Sequence, residues 1–339
     1  QEALAKLLNH QDLDTQQMEE VMYQIMQGEA TPSQIAGFVI ALRMKGESVN
    51  ELAAAAKVMR NLSSKVEVGL EDLVDTCGTG GDGSKTFNIS TAAAIVAASA
   101  GVNIAKHGNR SVSSKSGSAD VLETAGVNLE ISPQQVAACV NEIGVGFMFA
   151  LMHHSAMRHV SLARKELGMR TLFNILGPMS NPAGLTRQLI GVYDQALCRP
   201  MVEVLNRLGS EHVLVVHSED GLDEISIAAD THVAELSNGQ IREYTIQPEQ
   251  MGFERGSLRD LAVDGVDESL QLLTQVLAGE QDERSRRAAQ LVALNAGAAL
   301  YVAGLADSIA AGVAMANDVL SRGSALEKLQ QLASMTRGF

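Results

Sequence analysis

The distribution of apolar residues changes near Val68, and the two parts of the chain predict different structures. Residues 1–67 are helical in pattern, are punctuated by polar residues and contain no alternating strand pattern. Thr31-Pro32-Ser33-Gln34 and Ser48-Val49-Asn50-Glu51 are capping boxes, which mark the first turn of a helix. The sequence therefore predicts a small all-helical domain in this part.

After Val68, short apolar runs alternate with helical segments. This alternation predicts an α/β domain in which helices flank a central, largely parallel sheet. Asn238-Gly239, between two strand-like segments, predicts a β-hairpin. The final third is mostly helical, with an alanine-rich, buried stretch over 288–303. The predicted strands are 73–77, 102–106, 127–129, 147–150, 188–192, 211–216, 231–237 and 240–245. Before the final third, the predicted helical segments are 91–100, 119–125, one that starts at Ser132-Pro133, 151–176 and 196–208.

Length and composition limit the classes of function. A chain of 339 residues is long enough for about two domains. The net charge of −14 argues against a nucleic acid or an anionic membrane as the main partner. Cys77, Cys139 and Cys198 are widely spaced and form no CxxC pair, so we expect reduced thiols in a cytoplasmic protein. No signal peptide and no apolar run of membrane length is visible.

A glycine-rich stretch follows the first predicted strand. Four glycines fall within the six residues 78–83, and the alanine-rich helix is predicted to begin at 91. Glycine permits positive φ angles and close approach of the backbone, so such a loop can direct several N–H groups at one anion. The N-terminus of the helix adds the positive end of its dipole. The stretch therefore predicts a phosphate-binding loop, although a tight surface turn has a similar glycine content.

Two nucleotide-binding motifs compete for this stretch. Gly78-Thr79-Gly80-Gly81-Asp82-Gly83 matches the spacing G-x-G-x-x-G of dinucleotide-binding proteins. However, the next predicted strand ends in Lys106-His107 rather than in an acidic residue, and residues 84–90 separate the last glycine from the predicted helix. A Walker A motif does not fit, because Ser84-Lys85 follows Gly83. A dinucleotide is thus the weaker alternative.

The segment from Lys106 to Ser118 concentrates cationic and hydroxyl side chains. Ligands of parallel sheets bind outside the carboxyl ends of the strands, where we expect both this segment and the glycine-rich loop. A loop rich in N–H groups beside a cationic loop suits an extended polyanion, such as a sugar phosphate that carries a pyrophosphate. The alternative is a solvated basic loop. The segment contains Lys106, His107, Asn109, Arg110, Lys115 and five serines.

An acidic pair and a basic helix extend this prediction. Asp223-Glu224 follows a predicted strand, and beside a polyphosphate the two carboxylates could bind Mg²⁺ with Ser90 as a hydroxyl ligand. Alone, such a pair is usually exposed to solvent. The predicted helix 152–170 places His154 and Arg158 on one cationic face that suits a carboxylate. Zinc at its histidines is a weaker alternative, since no H-E-x-x-H motif is present. The other alternative is a basic helix that faces the solvent and binds no ligand.

Taken in order, these segments resemble one family. Together they are similar to the anthranilate phosphoribosyltransferases of tryptophan biosynthesis, and the similarity covers essentially the whole chain. The resemblance implies the nucleoside phosphorylase/phosphoribosyltransferase type of fold and a homodimer formed through the helical domain. That domain would comprise residues 1–67 with part of 165–183, and the donor-binding α/β domain residues 68–164 and 184–339. The segments are Gly78-Thr79-Gly80-Gly81-Asp82, Asn88-Ile89-Ser90-Thr91, Lys106-His107-Gly108-Asn109-Arg110, Arg170-Thr171-x-x-Asn174-x-x-Gly177-Pro178, Asn181-Pro182, Leu222-Asp223-Glu224 and the helix near 295–304.

The resemblance also implies a reaction: the phosphoribosyl group of phosphoribosyl pyrophosphate is transferred to the amine of anthranilate, and pyrophosphate is released. Mg²⁺, expected as two ions, would be held by Ser90, Asp223 and Glu224. Asn109 and Arg164 would contact anthranilate. No covalent nucleophile is implied; Lys106 would stabilise charge and His107 could assist a proton transfer. The implied substrate-binding residues are Gly78, Gly81, Asp82, Thr86, Asn88, Ile89, Ser90, Thr91, Lys106, His107, Gly108, Asn109, Arg110, Ser111, Val112, Ser113, Ser114, Ser118 and Arg164.

A few positions depart from the family pattern. The family usually has proline where Leu151 and Ser155 stand and Gly-Pro near Ser161-Leu162, so the path by which anthranilate enters is left open.

Two other functions occur on this architecture. A pyrimidine nucleoside phosphorylase would use phosphate and need no acidic pair, and a non-catalytic nucleic-acid-binding relative would need a broad basic face.

Overall fold

The N-terminal part is a helical bundle. The computed structural model describes residues 1–111 and 116–339. Helices α1 (Glu2–Leu8), α2 (Thr15–Met26), α3 (Pro32–Lys45) and α4 (Val49–Leu62) follow one another without a strand. The Thr31 hydroxyl accepts the N–H of Gln34, and the Gln34 side chain accepts the N–H of Thr31. Ser48 and Glu51 form the same pair of hydrogen bonds. The predicted helical part and both capping boxes are confirmed.

Seven strands in the described residues form one sheet in the order β3-β2-β1-β4-β5-β6-β7. The first five in this order are parallel, whereas β6 and β7 add an antiparallel hairpin at one edge. At the hairpin turn, Asn238 and Gly239 have φ angles of 52° and 74°, as the predicted tight turn requires. The strands are β1 (Leu73–Gly78), β2 (Asn103–Gly108), β3 (Val145–Phe149), β4 (Arg187–Gly191), β5 (His212–Ser218), β6 (Thr231–Ser237) and β7 (Gln240–Ile246).

The strand order reverses between β1 and β4. From β1 the chain moves outward through β2 to β3, and it then returns to place β4 on the other side of β1. The loops that leave β1 and β4 therefore diverge and open a crevice at the carboxyl ends of these strands. In open α/β sheets this point is where ligands bind.

Helices cover both faces of the sheet. On one face, α5 (Ile89–Ser99) packs against α13 (Glu283–Val302), which crosses α14 (Ile309–Ser321) closely. A Cβ atom on Gly297 would lie 2.4 Å from the Val313 nitrogen, so only glycine permits this crossing. On the other face, α10 (Leu172–Leu176) and α11 (Cys198–Arg207) pack against α4 and share one apolar core with the bundle. The other helices are α6 (Ser118–Thr124), α7 (Pro133–Ile143), α8 (Ala150–His153), α9 (Arg158–Leu167), α12 (Val266–Leu277) and α15 (Ala325–Arg337).

The prediction of one helix over 152–170 is wrong. Helix α8 ends before His154, whose φ and ψ of −120° and 57° are not helical, and α9 begins only at Arg158. His154 and Arg158 therefore do not share a helix face. At its other end, α9 stops at Gly168, which caps it in the left-handed conformation with φ 58°. α9 packs against α2 and α3 of the bundle.

Two smaller predictions also need correction. Residues 127–129 form no strand, because the N–H of Val127 bonds back to the carbonyl of Leu122 at the end of α6. Strand β2 continues to Gly108, so His107 and Gly108 lie within it rather than after it. Within the described residues, no helix is long and apolar enough to cross a membrane.

Candidate active site

The glycine-rich loop begins at the crevice between β1 and β4. Gly80, Gly81 and Gly83 have φ angles of 66°, 78° and 77°, which explains why glycine stands at these positions. The loop is tied to β4: the Thr79 N–H donates to the carbonyl of Gly191 at 2.9 Å, and the Thr79 hydroxyl accepts the N–H of Tyr193 at 3.1 Å. These bonds fix its base beside the end of the sheet.

The N-terminus of α5 follows this loop. The helix begins at Ile89, two residues earlier than predicted, so Ser90 lies in its first turn. The side chain of its N-cap residue, Asn88, makes no capping bond and instead accepts the hydroxyl of Thr91 and donates to the carbonyl of Ser116. The first-turn N–H groups of a helix whose N-cap side chain is engaged elsewhere can bind an anion.

Lys106 brings a cation to the same place. Its side chain is buried, and its Nζ donates to the carbonyl of Thr76 and to the hydroxyl of Ser90, the latter at 3.3 Å. One buried ammonium group thus touches both β1 and the first turn of α5. This is the arrangement that a polyanion bound between them would need.

The acidic pair lies opposite the glycine-rich loop. Asp223 Oδ2 accepts the N–H of Gly80 at 2.9 Å and lies 2.8 Å from the position of a Cβ atom on Gly78. Burial and the negative charge of Asp82 raise the pKa of Asp223 to about 7. Burial and the neighbouring Asp223 also raise the pKa of Glu224 well above its usual value. Crowded carboxylates with raised pKa values fit a divalent cation, which would neutralise their repulsion.

Protein ligands alone do not form a metal site here. Among residues 1–111 and 116–339, no group of three or more His, Cys, Asp and Glu side chains is arranged to hold a metal ion. Mg²⁺ usually binds through one or two carboxylates plus substrate phosphates and water. The residues present fit a magnesium ion that is bound together with a phosphate ligand.

Buried histidines lie on the other side of β2. His107 and His154 have ring centroids 5.1 Å apart and are nearly inaccessible to solvent. Burial, followed by the neighbouring His154 and His153, lowers the pKa of His107 well below its usual value, and burial lowers that of His154 to about 4. Both rings are therefore neutral near pH 7. The Nε2 atoms of both have no hydrogen-bond partner among the described residues, and the lowered pKa values make both rings weak bases.

A hydrogen-bond bridge joins this region to the sheet. Asp75 is fully buried in β1 and accepts the N–H of His107 at 3.1 Å and the side-chain amide of Asn181 at 2.8 Å. The same amide donates to the carbonyl of Ala105 at 3.0 Å. Asn181 thereby holds the segment after α10 against β1 and β2.

The other predicted residues lie around this centre. Thr86 contacts the hydroxyl of Ser84, and Gly108 ends β2 so close to Ser118 that a Cβ atom would lie 2.3 Å from its hydroxyl. Arg110 points toward α6 and forms ion pairs with Glu123 and Asp120. Arg164 is half-buried with its guanidinium 5.9 Å from the Phe173 ring. Asn109 is exposed, and the N–H of Ser111 donates to Asp120; Val112, Ser113 and Ser114 lie outside the described residues.

Sequence reasoning gave no role to several residues of the site. Arg170 donates to the carbonyl of Gly81 and stacks 3.8 Å from the ring centroid of Tyr193. Gly191 lies against the backbone of Asp223. The buried Asp75 carried a signal, since an acidic residue within an apolar strand is unusual. The contacts of Arg170 and Gly191 depend on the reversal of strand order, which the sequence did not reveal.

The positions that depart from the family pattern are on the surface. Leu151, Ser155 and Leu162 are all exposed, and Leu151 retains 61% of its accessible area. Their substitution leaves the buried centre of the site unchanged.

Comparison with known proteins identifies the architecture. The model of the glycosyl transferase family, helical bundle domain, matches residues 1–63, and that of the glycosyl transferase family, a/b domain, matches residues 70–326. A curated anthranilate phosphoribosyltransferase of Azotobacter vinelandii is 57% identical over 338 residues, which are 100% of this chain and 97% of that protein.

Solved structures agree with this match. A crystal structure of anthranilate phosphoribosyltransferase from Thermus thermophilus has a TM-score of 0.93 and 42% identity, and the alignment covers 99% of this chain and 100% of that one. The enzyme from Saccharomyces cerevisiae, solved in complex with PRPP and Mg, has a TM-score of 0.90 and 27% identity over 100% of this chain and 98% of that one. Since sequence and fold agree over the full length, the chain belongs to the anthranilate phosphoribosyltransferase family.

Proposed function

We infer that this protein transfers the phosphoribosyl group of phosphoribosyl pyrophosphate to the amine of anthranilate, in tryptophan biosynthesis. The observation that carries this inference is the convergence of the glycine-rich loop, Lys106 and the acidic pair at the reversal point of the sheet. The alternative functions gain no support, because the family membership and the buried acidic pair both favour the transferase over a phosphorylase or a nucleic-acid-binding protein.

The donor would bind across the carboxyl ends of β1 and β2. The N–H groups of the glycine-rich loop and of the first turn of α5 would contact its phosphates, and Lys106 would contribute a buried positive charge. Ser118 would complete this side of the site. The loop geometry and the positive charge support this placement.

Asp223, Glu224 and Ser90 would hold magnesium, for which we propose two ions. Bound Mg²⁺ supplies positive charge to the pyrophosphate and makes it a better leaving group. The carboxylates must be ionised to bind the metal, although burial and mutual repulsion raise their pKa values. We expect metal binding to release protons near neutral pH.

Anthranilate would bind on the His107 side of β2, with its carboxylate near Arg164 and Asn109. In the reaction, the bond between C1 and the pyrophosphate oxygen breaks, and the electron pair leaves with pyrophosphate. The amine nitrogen forms the new bond to C1 and loses one proton. The unpartnered Nε2 of His107 could assist this proton transfer, but burial lowers the pKa of the ring, so His107 would be a weak base and a strong general base is not required. No covalent intermediate is needed, so positioning and electrostatics supply the catalysis.

The direct test is the loss of anthranilate fluorescence with phosphoribosyl pyrophosphate and Mg²⁺. We expect consumption only when all three are present; the absence of consumption at saturating concentrations would refute the activity.

The double variant Asp223→Asn with Glu224→Gln should lose activity because it no longer binds the metal, and it should stay folded. Glu71→Gln with Asp72→Asn is the matched control, because these adjacent acids are exposed before β1. Full activity of the first variant would refute the metal role alone.

The oligomeric state and the domain boundaries belong to the same proposal. We propose a homodimer formed through the helical domain, because Leu8, Met44 and Leu162 are large, exposed apolar residues on helices that pack against one another. That domain would comprise residues 1–67 with part of 165–183. Light scattering should give twice the mass of the chain, and Leu8→Glu with Met44→Glu should give the mass of one. A monomeric wild-type protein would contradict the proposal.

We also propose a cytoplasmic location. Cys77, Cys139 and Cys198 are free and buried, and free thiols are typical of a reducing compartment. Cell fractionation followed by immunodetection tests this location; recovery in the periplasm would exclude it.

A further inference from the structure

Asn295 is a polar residue inside an apolar helix. It lies in α13 between Leu294 and Ala296, and none of its surface is accessible to solvent. Asparagine favours a helix less than alanine does, and a buried amide without partners destabilises a protein. Asn295 is the only polar residue between Leu291 and Leu300, so a specific contact is expected to account for its amide.

The side chain of Asn295 pairs with both backbone groups of one residue in a distant loop. Its Oδ1 accepts the N–H of Ile225 at 2.9 Å, and its Nδ2 donates to the carbonyl of Ile225 at 2.9 Å. The second N–H of the amide donates to the carbonyl of Leu291 within the helix, also at 2.9 Å. The amide is thus fully used, and two of its three bonds hold Ile225.

Ile225 directly follows the acidic pair. Residues 219–230 contain no helix or strand, so their position depends on contacts with other elements. Asp223 reaches forward to the N–H of Gly80, and Glu224 lies beside the backbone of Ser90. The two carboxylates therefore face the glycine-rich loop and α5, while the backbone immediately after them is held from behind by α13.

We propose that Asn295 is a positioning residue that fixes the backbone of Ile225 and so sets where Asp223 and Glu224 present their carboxylates to magnesium. This inference rests on the proposed function, since it assumes that the acidic pair binds the metal. Because two antiparallel hydrogen bonds define both the distance and the direction of the Ile225 peptide groups, their loss lets the acidic pair shift. Outer partners of this kind typically change metal affinity by about 10- to 100-fold when they are replaced.

The test separates positioning from a contribution to stability alone. Asn295→Leu keeps a similar volume and removes the hydrogen bonds. Leu300→Ala is the control, because it removes buried apolar volume from the same helix without removing a side-chain hydrogen bond. Three quantities are measured: the melting temperature without metal, the Mg²⁺ concentration that half-saturates the thermal shift caused by Mg²⁺ with inorganic pyrophosphate, and the Mg²⁺ dependence of kcat.

Both variants should melt at lower temperature than the wild type. Only Asn295→Leu should need roughly tenfold more Mg²⁺ for the thermal shift and for activity, with kcat recovered at high Mg²⁺. An unchanged Mg²⁺ requirement in Asn295→Leu would overturn the inference, as would an equal increase in Leu300→Ala. A wild-type protein that shows no response to Mg²⁺ would instead refute the proposed metal role.

A second measurement covers the case in which Asn295→Leu does not fold. In the wild-type protein without metal, hydrogen exchange followed by mass spectrometry should show the Ile225 amide protected like the amides of α13. Rapid exchange at Ile225 would mean that Asn295 does not hold the loop, and it would overturn the inference without any variant.

Discussion

A Cβ atom built on Gly191 would lie 1.5 Å from the carbonyl oxygen of Asp223. The end of β4 and the backbone of the acidic pair are therefore in direct contact, and any side chain at Gly191 must displace one of them. The carbonyl of Gly191 also accepts the N–H of Thr79, so the same residue supports the glycine-rich loop.

We predict that Gly191→Ala lowers kcat/KM by about 100-fold, because a displacement near 1 Å at a reacting centre can have an effect of this size. Steady-state kinetics measures the loss, and circular dichroism shows that the fold persists. Gly37→Ala in helix α3 is the control, because there is room for its Cβ atom: the one atom within 4 Å is a side-chain carbon of Leu4, at 4.0 Å. More than half of the wild-type activity in Gly191→Ala would contradict the prediction.

Arg170 provides a second prediction about the glycine-rich loop. It bonds the carbonyl of Gly81 and stacks on Tyr193, so it connects the segment between α9 and α10 to the loop. Arg170→Ala should raise the KM for phosphoribosyl pyrophosphate roughly tenfold with a smaller change in kcat, since the loop loses a hydrogen bond from a side chain that stacks on Tyr193.

The controls for Arg170 use charge and shape separately. Lys165→Ala removes a positive charge from the exposed end of α9 and should leave the KM unchanged. Arg170→Lys should not restore it, because an ammonium group lacks the planar fork that stacks and donates at once. Restoration by lysine would show that charge alone matters.

Glu235 predicts how stability depends on pH. Although burial alone would raise its pKa, hydrogen bonds from His212, Arg242, Tyr244 and Tyr301 outweigh burial and lower the pKa from 4.5 to about 2. The folded protein therefore holds the ionised form more tightly than the unfolded chain does. The resulting stability is complete above pH 4.5 and is lost as the pH falls toward 2.

Glu235→Gln should lower the free energy of unfolding by about 2 kcal/mol at pH 7 and by much less at pH 3. The loss at pH 7 is smaller than the pKa shift alone implies, because the Arg242 partner is largely exposed and solvent screens the ion pair. Urea unfolding at both pH values measures this difference. Glu249→Gln breaks an exposed ion pair with Arg255 and should change stability little at either pH. An equal loss at pH 3 and pH 7 would exclude the ionised carboxylate as the cause.

The thiols give a prediction that needs no variant. Cys77, Cys139 and Cys198 are all buried, and burial raises their pKa values, to about 11 for Cys139 and about 12 for Cys198. Because the thiolate is the reactive form, iodoacetamide at pH 8 should modify the native protein very slowly. The urea-unfolded protein should take up three equivalents. Rapid modification of the native protein would show that a thiol becomes exposed.

Local signals in the sequence were sufficient for most elements. Capping boxes at Thr31, Ser48 and Ser132 and the Asn238-Gly239 turn act within a few residues, so the pattern alone identifies them. The break at His154 was missed because its conformation depends on burial against distant residues. For the same reason, the contacts between Asp75 and Asn181, which are 106 residues apart in sequence, could not be read from the pattern.

The candidate site was predicted as segments but not as a geometry. Glycine spacing, clustered cations and an acidic pair indicated phosphate and metal binding. Which loops meet depends on the return of the chain from β3 to β4, and this topology leaves no mark at any one residue. Consequently, no role was predicted for Gly191 or Asn295, although each contacts the backbone at or next to the acidic pair.

The close crossing at Gly297 limits where this protein can change during evolution. Gly312 makes the reverse contact, with a Cβ position 2.2 Å from the carbonyl of Gly297, and the alanines of α5 pack beneath α13. Larger residues there would separate α13 from α14 and disturb the packing of α5, whose first turn belongs to the proposed site. The exposed positions Leu151 and Ser155 lie outside this close packing. Substitutions can therefore accumulate at these exposed positions more readily than at the crossing of α13 and α14.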